Sequence, residues 1–386
     1  MGSGVTGLAV IGSTGSIGRQ TLDVVRSLPD RFRVIGLAAG NNVTVLEEQL
    51  REFRPRLVSV QREQDYLRER IRQDGLRCEW ATAEEIASHP DVDVVMVGTV
   101  GKAGLMATMA ALKAGKAVAL ANKEVLVIAG HLVNREARLS GASLRPTDSE
   151  HSAIWQCLWG EETPAIERII LTASGGPFRD RPLNELAGVT AEEALRHPNW
   201  QMGRKITVDS ATLLNKGLEC IEARWLFDVP LEKVSVVLHR ESIVHSLVEF
   251  VDGSMKAQLG VPDMRLPIQC ALTYPDRVPN ATVPRLDLAQ VGALNFSPID
   301  FRRYPCLSLA LQAGEQGGTY PTILSAVDEV AVQHFLSGHV GFTDIPRMLE
   351  EALDRHQSRP EPTLEDILDV DERARDWAED WVKAKT

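Results

Sequence analysis

VTGLAVIGSTGSIGRQTLDVV, residues 5–25, decides how this chain is read. Residues 5–11 are apolar and carry no helical period, so they read as a buried strand. Gly12, Gly15 and Gly18 follow at once, and a helical pattern with Thr21, Leu22, Val24 and Val25 then runs toward Pro29. Strand, glycine turn and helix in this order let a backbone approach a pyrophosphate. The glycines permit the turn, and the first helical turn offers free N–H groups at the positive end of a dipole. A glycine pattern alone is weak evidence. Its position between a strand and a helix, at the head of a series of such units, gives it weight.

Working outward, strands are expected at 32–38, 57–60, 92–97 and 117–121, with helices near 43–53, 63–73 and 103–114 between them. Strands that are apolar throughout and alternate with helices predict a parallel sheet covered on both faces, a Rossmann-like doubly wound α/β domain. Past residue 150 the rhythm changes. Residues 166–173 read as a strand entering Ser174-Gly-Gly-Pro177, 195–205 (LRHPNWQMGRK) as a loop, and 210–227 as a helix. Alternation over 234–259, broken by Asp252-Gly253, predicts a hairpin and a central α+β region with an antiparallel sheet. Residues 286–308 are Pro-rich and irregular, which suits a connector. Residues 309–386 are helical in pattern, with Thr363 and Asp366 spaced as a helix start. The expected division is a nucleotide-binding domain at 1–150, a catalytic domain at 151–285, the connector, and a C-terminal helical domain at 309–386.

The chain has 42 basic and 53 acidic residues, a net charge of −11, and no basic block. That balance argues against a nucleic-acid partner. No apolar run is long enough to span a membrane, and Met1-Gly2-Ser3-Gly4 opens neither a basic nor an apolar region, so a cytoplasmic protein is expected. Five widely spaced cysteines without a CxxC pair predict buried, reduced thiols rather than a zinc site or a disulfide framework.

The polar clusters carry the chemistry. Ala39-Gly40-Asn41-Asn42 closes the second strand without the carboxylate that usually binds a ribose 2′-hydroxyl, which favours NADP over NAD. Asn122-Lys123-Glu124 follows the strand 117–121 at its carboxyl end, where open α/β sheets bind ligands. Asp148 and Glu150 are two apart and would point the same way on an extended segment. Downstream, Asn215 and Glu219 share a helix face, with Lys216 beside it. Asp148, Glu150 and Glu219 would make an all-oxygen site suited to Mg²⁺ or Mn²⁺. Ser174, Ser210, Asn215 and Lys216 offer donors for a phosphate, and His197 and Trp200 lie in the loop just upstream. Each cluster alone would also suit a solvated surface; it is their combination that points to a site.

Taken together, GSTGSIG (12–18), ALANKE (119–124), TDSEHSAI (147–154), TASGGPF (172–178), HPNWQMGRKITVDSATLLNKGLE (197–219), HSLVEFVDGS (245–254) and PDMRLPI (262–268) resemble the 1-deoxy-D-xylulose 5-phosphate reductoisomerase family, nearly end to end. The resemblance implies a homodimeric enzyme that rearranges a small sugar phosphate and reduces it with NADPH, using Mg²⁺ or Mn²⁺. It implies Asp148, Glu150 and Glu219 as metal ligands, and Lys123, Ser149 and Asn215 at the substrate's oxygens. Ser174, His197, Ser210, Asn215 and Lys216 become the phosphate grip. Thr14, Gly15, Ser16, Ile17, Gly40, Asn41, Asn42, Asn122, Glu124 and Gly203 become NADPH contacts. Lys123, His197 and the three carboxylates become the catalytic group, and 195–205 a flap that closes with Trp200 over the substrate. Many relatives carry Lys at the position of Asn41. Two rival readings, a metal-independent NADP dehydrogenase and a non-catalytic nucleotide-sensing module, predict activity in EDTA and binding without turnover, respectively.

Overall fold

The computed structural model describes residues 4–200 and 202–385. Met1, Gly2 and Ser3, Gln201 within the 195–205 loop, and Thr386 lie outside the described residues. The chain packs as two units. The first comprises 1–125, 133–152 and 263–284, and the second 126–132, 153–262 and 285–386.

The first unit is built on a seven-stranded parallel sheet. Its strands are β1 (Thr6–Ile11), β2 (Phe32–Ala39), β3 (Leu57–Val60), β4 (Glu79–Trp80), β5 (Val94–Val97), β6 (Ala117–Leu120) and β7 (Leu144–Pro146), in the spatial order β4-β3-β2-β1-β5-β6-β7. The order reverses at β1, which pairs with β2 on one side and β5 on the other. The glycine turn leaves β1 at this switch point, where doubly wound sheets bind ligands. Leu8, Val10, Leu37, Val58 and Met96 are buried in one core with Leu22 and Val24 of the helix Ser16–Ser27. The helix Arg265–Thr273 packs on Ser16–Ser27, and its Ile268, Ala271 and Leu272 join that core. A segment more than 240 residues along the chain thereby completes the first unit. The two-stranded edge pairings of β4 and β7 were not expected, because segments of two and three residues carry no readable alternation.

In the second unit β8 (Ile166–Ala173), β9 (Val234–Leu238), β10 (Val244–Phe250) and β11 (Met255–Leu259) form a sheet ordered β11-β10-β8-β9. The Asp252-Gly253 hairpin joins β10 to β11, with Gly253 at φ +83°. The sheet is mixed rather than purely antiparallel. β8 and β9 run parallel, because the helices between them return the chain to the same end. The expected helix 210–227 is two helices, Arg204–Thr212 and Leu214–Phe227, parted by Leu213 in the left-handed region at φ +55°. Helix Pro305–Gln316 begins inside the stretch read as connector, its Pro at a position where the missing N–H costs nothing. Helices Tyr320–Leu336, Asp344–Arg355 and Leu364–Lys385 complete the C-terminal part. The last is capped as the sequence suggests: Thr363 N–H donates to Asp366 Oδ2 at 2.9 Å, and Asp366 N–H returns a bond to Thr363 Oγ1 at 3.2 Å. Four of the five cysteines are buried, Cys78 is half-buried, and all are free thiols. Among the described residues no helix is long and apolar enough to cross a membrane.

Candidate active site

The glycine turn of the first unit is sterically closed. Gly12 has φ +90°, and a Cβ there would lie 2.8 Å from the Gly98 carbonyl oxygen. The helix it feeds has Gly15 as N-cap, no side-chain cap and no acidic residue in its first turn. Its leading N–H groups are therefore offered to an anion rather than consumed locally. Gly15 and Ser16 are exposed, and Thr14 and Ile17 half-buried. After β2, Asn42 is committed as the N-cap of Val43–Phe53, accepting from Val45 N–H at 3.2 Å; Asn41 remains the exposed amide. Asn122 likewise works as a brace. Its Oδ1 accepts from Val125 N–H, and its Nδ2 donates to Thr99 Oγ1 at 3.0 Å and to the Gly101 carbonyl at 2.9 Å. Those bonds fix the ends of β5 and β6, from which Lys123 and the buried Glu124 emerge.

Lys123 Nζ is 2.8 Å from Asp148 Oδ2, both side chains largely buried. Burial pushes the Asp148 carboxyl up, but Lys123, His151 and a hydrogen bond with Glu150 outweigh it and hold the group well below the ordinary carboxylate range. Asp148 is thus a fixed anion. It does not lie on the extended segment the i, i+2 spacing presumed: the helix Ser149–Cys157 starts immediately after it. Glu150 is in the first turn, and Ser149 Oγ donates to Glu150 Oε2 at 2.6 Å.

The second unit gathers the phosphate-type donors. His197 Nδ1 accepts from the backbone N–H of Asn199 at 3.1 Å and of Trp200 at 2.9 Å. Two donors on Nδ1 place the proton of the neutral ring on Nε2. Nε2 lies 3.0 Å from Ser174 Oγ and 3.1 Å from Ser210 Oγ, so three donors converge from three segments. Burial, then the nearby Arg179, lowers the His197 pKa to about 4. Protonation would also cost the Nδ1 acceptor role. The stabilisation from keeping this ring neutral is complete above the ordinary histidine pKa near 6.5 and is lost as pH falls from there toward about 4. We expect His197 to stay neutral at pH 6 as the Nε2–H tautomer. NMR of imidazole-labelled protein, assigned with a His197→Gln variant, checks this; a midpoint near 6.5 contradicts it.

The next turn carries the second cluster. Glu219 is 1% exposed; Oε1 accepts from Asn215 Nδ2 and Oε2 pairs with Lys216. The i, i+3 and i, i+4 spacings realise the shared face expected from sequence. Trp200 lies half-buried with its ring 6.1 Å from that of His245. Gly203 is the N-cap of Arg204–Thr212 and is exposed. The sequence reading missed Arg179, whose Nη1 donates to the Ser174 carbonyl at 2.9 Å. Its place directly after TASGGPF was the available signal. It also missed Asn199, which ties the loop to the Arg240 carbonyl and Ser242 Oγ.

A glycine-cradled helix N-terminus at the switch point of a doubly wound sheet, in one chain with largely buried, ion-paired carboxylates and convergent phosphate-type donors, marks a Rossmann-type oxidoreductase. Family models described as 1-deoxy-D-xylulose 5-phosphate reductoisomerase, its C-terminal domain, and DXP reductoisomerase C-terminal domain match residues 8–130, 144–227 and 259–377. The chain is 51% identical to the 1-deoxy-D-xylulose 5-phosphate reductoisomerase of Geobacillus sp. (strain WCH70), over 95% of this chain and 97% of that one. It is 52% identical to that of Pelotomaculum thermopropionicum, over 95% and 96%. A crystal structure of DOX-P reductoisomerase in complex with NADPH, fosmidomycin and magnesium matches with a TM-score of 0.94 and 40% identity, covering 98% of each chain. The chain belongs to the 1-deoxy-D-xylulose 5-phosphate reductoisomerase family.

Proposed function

We infer that this protein isomerises 1-deoxy-D-xylulose 5-phosphate to a branched aldehyde and reduces that aldehyde with NADPH to 2-C-methyl-D-erythritol 4-phosphate, an early step of non-mevalonate isoprenoid precursor synthesis. The observation that carries this reading is family membership along almost the whole chain, at about half of all positions identical.

In this reading 1–150 carries the NADPH contacts other than Gly203, together with Lys123, Asp148, Ser149 and Glu150; 151–262 carries the remaining substrate and metal residues, 263–284 completes the first unit, and 286–308 and 309–386 serve as connector and helical support. Asp148, Glu150 and Glu219 are the ligands of one Mg²⁺ or Mn²⁺. The donor set fits such an ion: three carboxylates, hard oxygens only, one of them held ionised by its surroundings. When bound, the cation polarises neighbouring substrate oxygens, and NADPH supplies the hydride. The protein's own groups do the rest. Lys123, pinned by Asp148, donates to a substrate oxygen beside the one bound by Ser149. Ser174, Ser210, His197 Nε2–H, Asn215 and Lys216 hold the phosphate, so binding energy far from the reacting carbons fixes their position. Thr14, Gly15, Ser16 and Ile17 take the pyrophosphate. Gly40, Asn41 and Asn42 take the adenosine end, and Asn122, Glu124 and Gly203 the nicotinamide half. The loop expected at 195–205 gives way to helix at Arg204, and its part ahead of that helix acts as a flap with Trp200 over the substrate, excluding water.

The protein is a cytoplasmic homodimer in this reading. The connector bridges to β9 through Ser297, at the sheet edge opposite β11, and its Leu288, Phe296 and Phe301 are exposed; those apolar side chains suit a second copy. Sedimentation at twice the 42.4 kDa of the chain tests it. The deciding assay follows NADPH absorbance with 1-deoxy-D-xylulose 5-phosphate. Oxidation is expected with Mg²⁺ or Mn²⁺, loss in EDTA, and recovery on adding metal. Turnover indifferent to EDTA overturns the metal-assisted reading in favour of a simple dehydrogenase.

A further inference from the structure

Lys205 lies in the first turn of the helix Arg204–Thr212, and its ammonium is shared between two carboxylates. Nζ is 2.7 Å from Asp209 Oδ2, one turn along the same helix, and 2.6 Å from Asp328 Oδ2, on the helix Tyr320–Leu336. Asp328 is 0% exposed and Asp209 2%. Cys306, at the start of Pro305–Gln316, closes the cluster. Burial, then Asp328 and Asp209, push its thiol well above the ordinary range, so it stays protonated. Two buried anions sharing one cation is an expensive arrangement in a protein interior, and an apolar contact would join the helices more cheaply. What the ionic version supplies is direction: a bridge between two fixed carboxylates sets the rotation and height of the helix, which greasy side chains do not.

The helix so fixed carries Ser210, directly after Asp209. On its other side Ser210 has no slack. A Cβ placed at Gly176, φ +66°, would lie 2.7 Å from the Ser210 carbonyl oxygen and 2.8 Å from Ala211 Cα. The Ser174-Gly175-Gly176 turn therefore rests directly on the Ser210 backbone, and His197 Nε2 spans Ser174 and Ser210 at 3.0 and 3.1 Å. The helix is pressed against the turn on one face and tethered by charge on the other.

We propose that Asp328 and Lys205 are positioning residues for the phosphate grip. Through their ion pair the C-terminal helices hold Ser210 in register with Ser174 and His197. This rests on the reading that those three groups bind the substrate's phosphate, and neither Lys205 nor Asp328 touches substrate in it. The C-terminal part of the chain then takes part in substrate affinity without contributing a contact.

The test compares Asp328→Ala and Asp328→Asn in the full-length enzyme. Asn keeps one oxygen for Lys205 and most of the volume. Asp328→Ala is expected to raise KM for 1-deoxy-D-xylulose 5-phosphate about tenfold, within the range of one lost interaction with a charged group. KM for NADPH should stay within about twofold, and the Asn variant should recover most of the loss. Inorganic phosphate, as a competitive inhibitor against the sugar phosphate, should weaken in parallel. A purely structural role would lower Tm and the active fraction while leaving both KM values and the phosphate inhibition constant in place, and that result overturns the proposal. A Ser210→Ala control separates the two layers. If it leaves the sugar-phosphate KM unchanged, the phosphate-grip reading itself has failed; if it raises KM while Asp328→Ala does not, only the positioning proposal has failed.

Discussion

Glu219→Gln is expected to lower kcat by on the order of a hundredfold or more while NADPH binds with unchanged Kd. Removing a ligand charge from a metal-assisted step forfeits several kcal/mol of charge stabilisation, and about 1.4 kcal/mol corresponds to tenfold. Gln preserves the volume at a position that is 1% exposed, so no cavity opens. It can still accept from Asn215, but the pair with Lys216 loses its charge. That second effect provides the rival explanation, and the two are separable. If Glu219 only steadies Lys216 and Asn215, the variant shows a raised sugar-phosphate KM, a lowered Tm and an unaltered Mg²⁺ dependence. If it is a ligand, the Mg²⁺ concentration for half-maximal rate rises steeply at saturating substrate. Near-normal turnover at ordinary Mg²⁺ would remove Glu219 from the metal site altogether.

How much of this was legible beforehand depends on the range of the interaction concerned. The glycine turn, the capping pair Thr363 and Asp366, the Asp252-Gly253 hairpin and the Asn215–Glu219 face are local. Each is decided by residues within six positions of one another, and each is where the sequence places it. The long parallel strands are legible for a related reason: continuous apolar runs between helices admit few other arrangements. The failures are of two kinds. Leu213, at φ +55°, breaks a periodic pattern without a glycine or proline to announce it, because tertiary contacts and not intrinsic preference hold it there. Asp148 and Glu150 looked like neighbours on an extended segment, although Thr147-x-x-Glu150 has the spacing of a capping pair and Asp148 is a favoured N-cap residue just before the helix that starts at Ser149.

The other kind is long-range. The pairing of β8 with β9 joins residues more than 60 apart, and Arg265–Thr273 enters the core of the first unit from far along the chain. The Lys205–Asp328 bridge joins residues whose separation no periodicity encodes. Each polar residue in these pairings has an innocuous surface reading in the sequence. The motifs for the site residues were recognisable as a set through the family resemblance, whereas their supports were visible only once the fold had brought them together. Arg179 illustrates the difference: it stands one position past a quoted motif, yet what draws notice to it is the Ser174 carbonyl it holds and the histidine beside it whose proton it disfavours.

The glycine turn allows a paired prediction in which two neighbouring substitutions part company. Gly18→Ala would place a Cβ 2.3 Å from the Gly12 carbonyl oxygen and 2.5 Å from Ser13 Cα. Both are backbone atoms, so no side chain can rotate aside and the turn itself must open. At Gly15 a Cβ meets nothing nearer than the Gly12 carbonyl oxygen at 3.3 Å, and its φ of −74° is one that alanine adopts readily. Gly18→Ala should therefore lower Tm by several degrees, with a cost of about 1–3 kcal/mol for overpacking, and weaken NADPH by at least about tenfold. Gly15→Ala should leave Tm almost unmoved. Its methyl group nonetheless stands at the exposed N-cap, where the pyrophosphate must approach the helix, so NADPH affinity should fall there as well. Differential scanning fluorimetry with and without NADPH reads both effects on one sample. Should Gly15→Ala bind NADPH as the parent does, the dinucleotide does not lie on this turn, and the glycines serve only to close the strand onto its helix.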